Sequence, residues 1–423
     1  GNTTGASNVA VGLMALCNNT TANFNTAVGE CSLFANTTGA SNTAVGYATL
    51  LSNTTGRCNV SVGQCALKNN TTACNNTSVG TFSMLYTSTG NHNTAIGRSS
   101  LQNNSTGSQN TASGYRALLT NTTASNNTGS GFYSLKSNTT GTNNTASGAY
   151  SLQSNTTGSC NSGLSRSALA NNTTGCNNAG AGFGALANNT TANGNTAFGS
   201  CTLYSNTTGT CNTAVGYEAL ATATTAHYNT AVGAKALCAA TTGYYNTAVG
   251  TFSLDALTTG YNNVALGQVS LSSLTTGLRN TATGYGSLQM QTTACNNTAS
   301  GYRAARCTTT GGNNSIFGNQ ALLLNTTGAE NTALGHNALY CNTTANENTA
   351  VGVCALFTNR TGAHNTAIGF KAARANTTAN VVVAVGACSL YSNISGQNQT
   401  AVGFRALCAN TCGHNSTAIG SRA

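Results

Sequence analysis

The sequence predicts an all-β protein: a parallel β-solenoid (β-roll) with one 17-residue rung per repeat and about 25 rungs. Three observations predict it. Glycine recurs every 17 residues, at Gly12, Gly29, Gly46, Gly63 and onward to Gly420, and Ser165 is the one exception among 25 positions. The spacing never drifts, which a rung lying on its neighbour requires and a disordered chain does not maintain. The typical unit, N-T-A-V-G-x-x-A-L-x-x-N-T-T-G-x-x, repeats Gly, Asn and Thr throughout, and these residues disfavour helix.

Each part of the rung follows from its residues. Rung positions are counted so that Gly12 stands at position 12. The stretch Asn25 to Leu33 is short and partly β-branched, and N-T-T-G turn chemistry follows it, so each rung is expected to hold one or two short strands between turns. The recurring glycine marks a tight bend or a close backbone approach. The small-apolar pair before it (Ala10 and Val11, Ala27 and Val28) and the leucine after it are the expected core. That leucine column, beginning Leu16, Leu33, Leu50 and Leu67, holds Leu in 21 of 24 members.

Two polar columns are expected to run along the axis. Asn8, Asn25, Asn42 and Asn59 begin an asparagine column unbroken through Asn365. Thr4, Thr21, Thr38 and Thr55 begin a threonine column that fails only at Ser395 and Cys412. Like residues stack on like in a parallel solenoid, so amides and hydroxyls are expected to hydrogen-bond from rung to rung. Rungs about 4.8 Å apart would make a rod roughly 120 Å long. Residues 1–423 are read as a single continuous repeat array, a segment of a longer chain without its capping rungs.

Composition excludes several functions. Only 5% of the residues are charged, and the net charge of +10 is spread thinly, with no basic run or aromatic ladder beside it. Nucleic acid is therefore not an expected partner. No apolar run is long enough to span a bilayer. The five acids and five histidines are scattered, and no P-loop, G-x-S-x-G, H-E-x-x-H or Ca²⁺-loop motif occurs. Among the acids only Glu330 and Glu347 stand one rung apart. No enzyme activity, cofactor or metal is expected.

Cysteine and asparagine leave two candidate modifications. Cys58 and Cys74, like Cys160 and Cys176, are 16 residues apart and so fall nearly above one another, which makes them candidate disulfides. Cys17 with Cys31, Cys341 with Cys354, and Cys408 with Cys412 are weaker candidates. Frequent cysteine favours oxidising, extracellular surroundings. Sequons place candidate glycans on Asn19, Asn36, Asn53, Asn70, Asn104, Asn155, Asn325 and Asn376, in the N-T-T-G turn or its variants.

The N-T-A-[VI]-G units, such as Asn93 to Gly97 and Asn365 to Gly369, resemble the Asn/Thr/Gly-rich repeats of tail-fibre and cell-surface proteins. They are also similar to the head repeats of trimeric autotransporter adhesins. The resemblance covers the whole chain but rests on a short motif. The unit here is longer than the usual adhesin-head unit, and cysteine is frequent. The adhesin heads imply a left-handed parallel β-roll, three chains around one axis and an adhesive extracellular role. The expected function is thus a structural component of a fibre on a cell or virion surface. Its expected partners are copies of itself, as a lateral trimer or end-to-end filament, and glycans or a host surface. The alternative is ice binding by the pairs Thr20 and Thr21, Thr37 and Thr38, Thr54 and Thr55. Adjacent residues of a strand face opposite ways, so T-T suits a flat face less well than T-x-T.

Overall fold

A computed structural model describes residues 2–423. Twenty-five parallel strands, one per rung, form a β-solenoid that contains no helix among the described residues. The chain divides into two compact units, Gly1–Cys211 and Asn212–Ala423. The first carries β1 (Val9–Val11) to β12 (Thr196–Phe198), and the second carries β13 (Thr213–Val215) to β25 (Thr417–Ile419). Within each unit every strand pairs in parallel with the strand one repeat away, as in Thr26↔Thr43, Ala27↔Ala44 and Val28↔Val45.

Each rung has one strand of three residues, apart from the four-residue Val382–Val385 and Gln399–Val402. The remaining residues are turns, yet they too bond along the axis. Leu33 N–H donates to Thr49 at 3.0 Å, Thr37 N–H to Thr54 at 3.0 Å, and Gly46 N–H to Val28 at 2.7 Å. Backbone groups that a turn leaves unpaired are thereby satisfied by the next rung.

The core is thinner than the sequence implies. The middle strand residue points inward, and Ala27, Ala44 and Ala95 are fully buried. The valine after it, expected in the core, faces out, with Val45 37% and Ile96 48% exposed. Strict alternation along the strand is the reason. The leucine column supplies the largest buried side chains, and Leu33, Leu50 and Leu67 are fully buried.

These leucines adopt the left-handed conformation, with φ of 49° at Leu33 and 47° at Leu67. Positions 7 and 14 do the same, including the β-branched Val269 and Val381. Such residues cost about 1 kcal/mol or more each. The conformation turns the leucine side chain inward while its N–H still reaches the next rung, and burial of a Leu contributes about 1.5–3 kcal/mol. Glycine holds position 12 for a different reason. Its φ is +133° at Gly46, and a Cβ there would lie 2.8 Å from the carbonyl oxygen of Gly63. Ser165 adopts the same φ of 127° with a side chain present.

Candidate functional site

Two amide ladders run through the interior. At position 8, Asn25 Oδ1 accepts the Asn42 backbone N–H at 2.9 Å, and Asn42 Nδ2 donates to Gly56 O at 2.8 Å. Where the column ends, Val382 N–H still donates to Asn365 Oδ1 at 2.9 Å. The second ladder stands at position 2. Asn36 Nδ2 donates to Asn19 Oδ1 at 3.0 Å and to Gly39 O at 2.9 Å. From Ala223 through Ala240 and Leu257 to Leu274 this ladder gives way to a fully buried apolar block.

The position-2 ladder overturns the glycosylation sites read from sequence. Asn19, Asn36, Asn53, Asn70, Asn104, Asn155, Asn325 and Asn376 are all fully buried. Their side-chain amide nitrogens donate to neighbours, as Asn53 does to Asn36 Oδ1 at 2.8 Å and Asn155 to Asn138 Oδ1 at 2.8 Å. A glycan on that nitrogen has no path to solvent. Overlapping N-N-T sequons, unnoticed in the sequence, place their first Asn outside instead: Asn75, Asn126, Asn143 and Asn296 at position 7 are exposed.

The threonine columns are likewise reassigned. The axial hydroxyl ladder belongs to position 3, where Thr20 Oγ1 donates to Thr37 O at 3.0 Å and Thr37 Oγ1 to Thr54 O at 3.1 Å. Thr4, Thr21, Thr38 and Thr55, one residue later, are exposed. Each T-T pair therefore presents one hydroxyl to the surface and commits the other to the backbone.

All seventeen cysteines are free thiols, which corrects the disulfide expectation. Cys74 and Cys176 stand at position 6, where the side chain receives the backbone N–H of the rung before: Arg57 N–H donates to Cys74 Sγ at 3.4 Å and Ser159 N–H to Cys176 Sγ at 3.3 Å. Their sulfurs are held on that backbone, not on Cys58 or Cys160, which are exposed at position 7. Asn and Ser serve the same purpose at position 6, as in Cys74 N–H to Asn91 Oδ1 at 2.7 Å and Asn91 N–H to Ser108 Oγ at 3.0 Å. This fourth ladder is hidden in the sequence because its residue types differ while their acceptor chemistry is shared.

Titratable groups converge little. Glu330, Glu347 and His364 occupy position 7 of successive rungs, and Glu347 meets His364 Nδ1 at 2.9 Å with both side chains more than half exposed. Exposed pairs of this kind contribute about 0–1 kcal/mol. Lys235 lies 3.6 Å from Glu218. Among the described residues no three His, Cys, Asp or Glu side chains could hold a metal ion, and no helix is long and apolar enough to cross a membrane.

Two surfaces remain. The outer face of the strands carries exposed aliphatic and aromatic residues at positions 11 and 13, among them Val45 and Tyr47, Val215 and Tyr217, Ile368 and Phe370. Each unit also has a groove between position 14 and positions 17 and 1. One such groove in the first unit is lined by Met14, Cys31, Phe34 and Leu51, and a separate one in the second by Lys371, Cys388, Tyr391, Arg405 and Cys408. Comparison with known proteins assigns no family: no family model matches the chain, and no curated protein matches it at a significant level.

Proposed function

We propose that the chain is a structural component of a fibre exposed on a cell or virion surface, assembling with copies of itself. The observation that carries this reading is the axial bonding of the rungs. Backbone, amide and hydroxyl ladders are all directed along the solenoid, so the buried asparagines and the position-3 threonines join one rung to the next, while position-15 hydroxyls such as Ser32 bond within their own rung. Such a design suits a spacer of adjustable length, since stability accumulates from neighbour to neighbour. The exposed apolar rank at positions 11 and 13 repeats with the rung, and a second copy has the matching period to cover it.

Exposed position-7 sequons would carry glycans outward on a secreted fibre, and an adhesive role fits the groove between positions 14 and 17. Ice binding is less well supported, because the Thr20, Thr37 and Thr54 hydroxyls are occupied within the backbone ladder. Cryo-electron microscopy of the native material tests the proposal. Filaments whose rungs contain 17 residues, with copies packed on the position-11 face, are expected. Dispersed single chains that depress the freezing point through thermal hysteresis would overturn it.

A further inference from the structure

We propose that the groove around Lys371, Cys388 and Arg405 binds a linear acidic polysaccharide. This deepens the surface-fibre reading and rests on it for the source of the ligand. The cavity has a volume of about 450 Å³ and is lined by Phe370, Lys371, Cys388, Tyr391, Arg405 and Cys408, with Ser392 and Ala409 beside them. That volume lies within the range of ligand sites, roughly 300–1,000 Å³.

Charge is the first argument. Lys371 and Arg405 share rung position 14 with Cys388 between them, and no Asp or Glu follows Glu347 in the sequence. Neither cation enters an ion pair among the described residues. Each rests instead on the aromatic ring that precedes it: Lys371 Nζ lies 4.8 Å from the Phe370 centroid, and the Arg405 guanidinium 5.7 Å from that of Phe404. A ring face holds a cation in place without neutralising it. Arg374 adds a third positive charge, 5.9 Å from the Tyr391 ring that lines the same cavity.

Spacing is the second. Lys371 and Arg405 stand two rungs apart, about 9.6 Å along the axis. An acidic sugar chain built of disaccharide repeats, such as heparin, returns each of its anions at a comparable interval. The Tyr391 and Ser392 hydroxyls offer hydrogen bonds suited to sugar hydroxyls. A single-stranded nucleic acid carries its phosphates closer together and stacks its bases on open ring faces. Here Phe370, Phe404 and Tyr391 each already carry a cation.

The test uses the full chain and a fluorescent heparin octasaccharide, with binding followed by anisotropy. The double variant Lys371→Gln/Arg405→Gln keeps the fold accessible, because Gln320 occupies the same rung position with the same positive φ. Arg98→Gln/Arg166→Gln removes an equal charge from the first unit. The groove variant is expected to weaken binding about tenfold or more, and the control to stay within about twofold. Equal losses in both, or none in the groove variant, would overturn the site. Displacement of heparin by an oligothymidylate of equal charge at the same concentration would overturn the ligand class. Heparin binding that persists while microscopy finds no fibres would sink the fibre reading alone.

Discussion

Replacing Asn138 by alanine tests whether the position-2 ladder holds the rungs together. Asn138 Nδ2 donates to Asn121 Oδ1 at 2.9 Å and to Gly141 O at 2.9 Å, and Asn138 Oδ1 accepts Asn155 Nδ2 at 2.8 Å. Alanine removes all three bonds. Gly141 O keeps a second donor in Asn127 Nδ2 at 2.9 Å, and Asn155 Nδ2 keeps Gly158 O at 2.9 Å. Asn121 Oδ1 is left buried and unpaired. At about 1 kcal/mol per net hydrogen bond the loss is about 3 kcal/mol, and the orphaned oxygen alone accounts for about 1–3 kcal/mol of cost. Solenoids open locally, so a global unfolding midpoint is a poor gauge. Native-state hydrogen exchange reads the rungs directly. Protection at the amides around Asn121, Asn138 and Asn155 should fall roughly a hundredfold, since 1.4 kcal/mol corresponds to tenfold. Asn138→Leu should cost a similar amount, although Leu257 and Leu274 occupy this column. There Ala240 precedes the two leucines, Gln291 after them donates to Ala294 O and accepts from Asn297 Nδ2 instead, and the orphaned oxygen is Asn206 Oδ1 at the far edge of the apolar block. Asn69→Ala, at a half-exposed turn position, is the control. Equal protection in Asn138→Ala and the control would refute the ladder as a source of stability.

Four further outcomes are expected. Ser165→Gly should stabilise the chain by about 1 kcal/mol, because Ser165 holds a φ of 127° that favours glycine. Gly250→Ala should destabilise it by more than about 1–3 kcal/mol, since the new Cβ would lie 2.6 Å from the Gly267 carbonyl; local exchange rates check both. Expressed in a glycosylating secretory host, the folded chain should carry glycans at Asn75, Asn126 or Asn143 and none at Asn155 or Asn376, as read by peptide mass mapping. Burial pushes the Asp255 carboxyl above its ordinary range, against smaller opposing effects of its own backbone hydrogen bond and Lys235. Its native-state proton is therefore bound more tightly than in the unfolded chain. The stability it contributes is full below the ordinary carboxylate range and is lost as pH rises through the raised value. Asp255→Asn should flatten that decline in a pH series of denaturant melts, and an unchanged slope would contradict the assignment.

The period was enough to read the fold, because a parallel solenoid needs only a fixed rung length, a turn and an inward small residue, and the glycine, N-T-T-G and alanine columns display all three. The left-handed backbone at Leu33 and Leu67 was not legible. Propensity assigns positive φ to Gly or Asn, and here side-chain burial with an axial hydrogen bond overrides it. The sites were harder for one shared reason. A residue in a solenoid is defined by its neighbour 17 positions away as much as by its chain neighbours. The N-T-T motif that reads as a sequon is, along the axis, a buried amide stacked on a buried amide, followed by a hydroxyl that seals the next carbonyl. Cys74 reads as half of a disulfide from its distance to Cys58, yet along its own column it is one acceptor among Asn and Ser acceptors. Local motifs in such a chain are thus weak guides to chemistry. The informative departures are columns where one residue type yields to another without an axial partner. Position 14 varies along the whole chain and shows the contrast: Lys235 there meets Glu218 of the rung before, whereas Lys371 and Arg405 around Cys388 meet no opposite charge among the described residues.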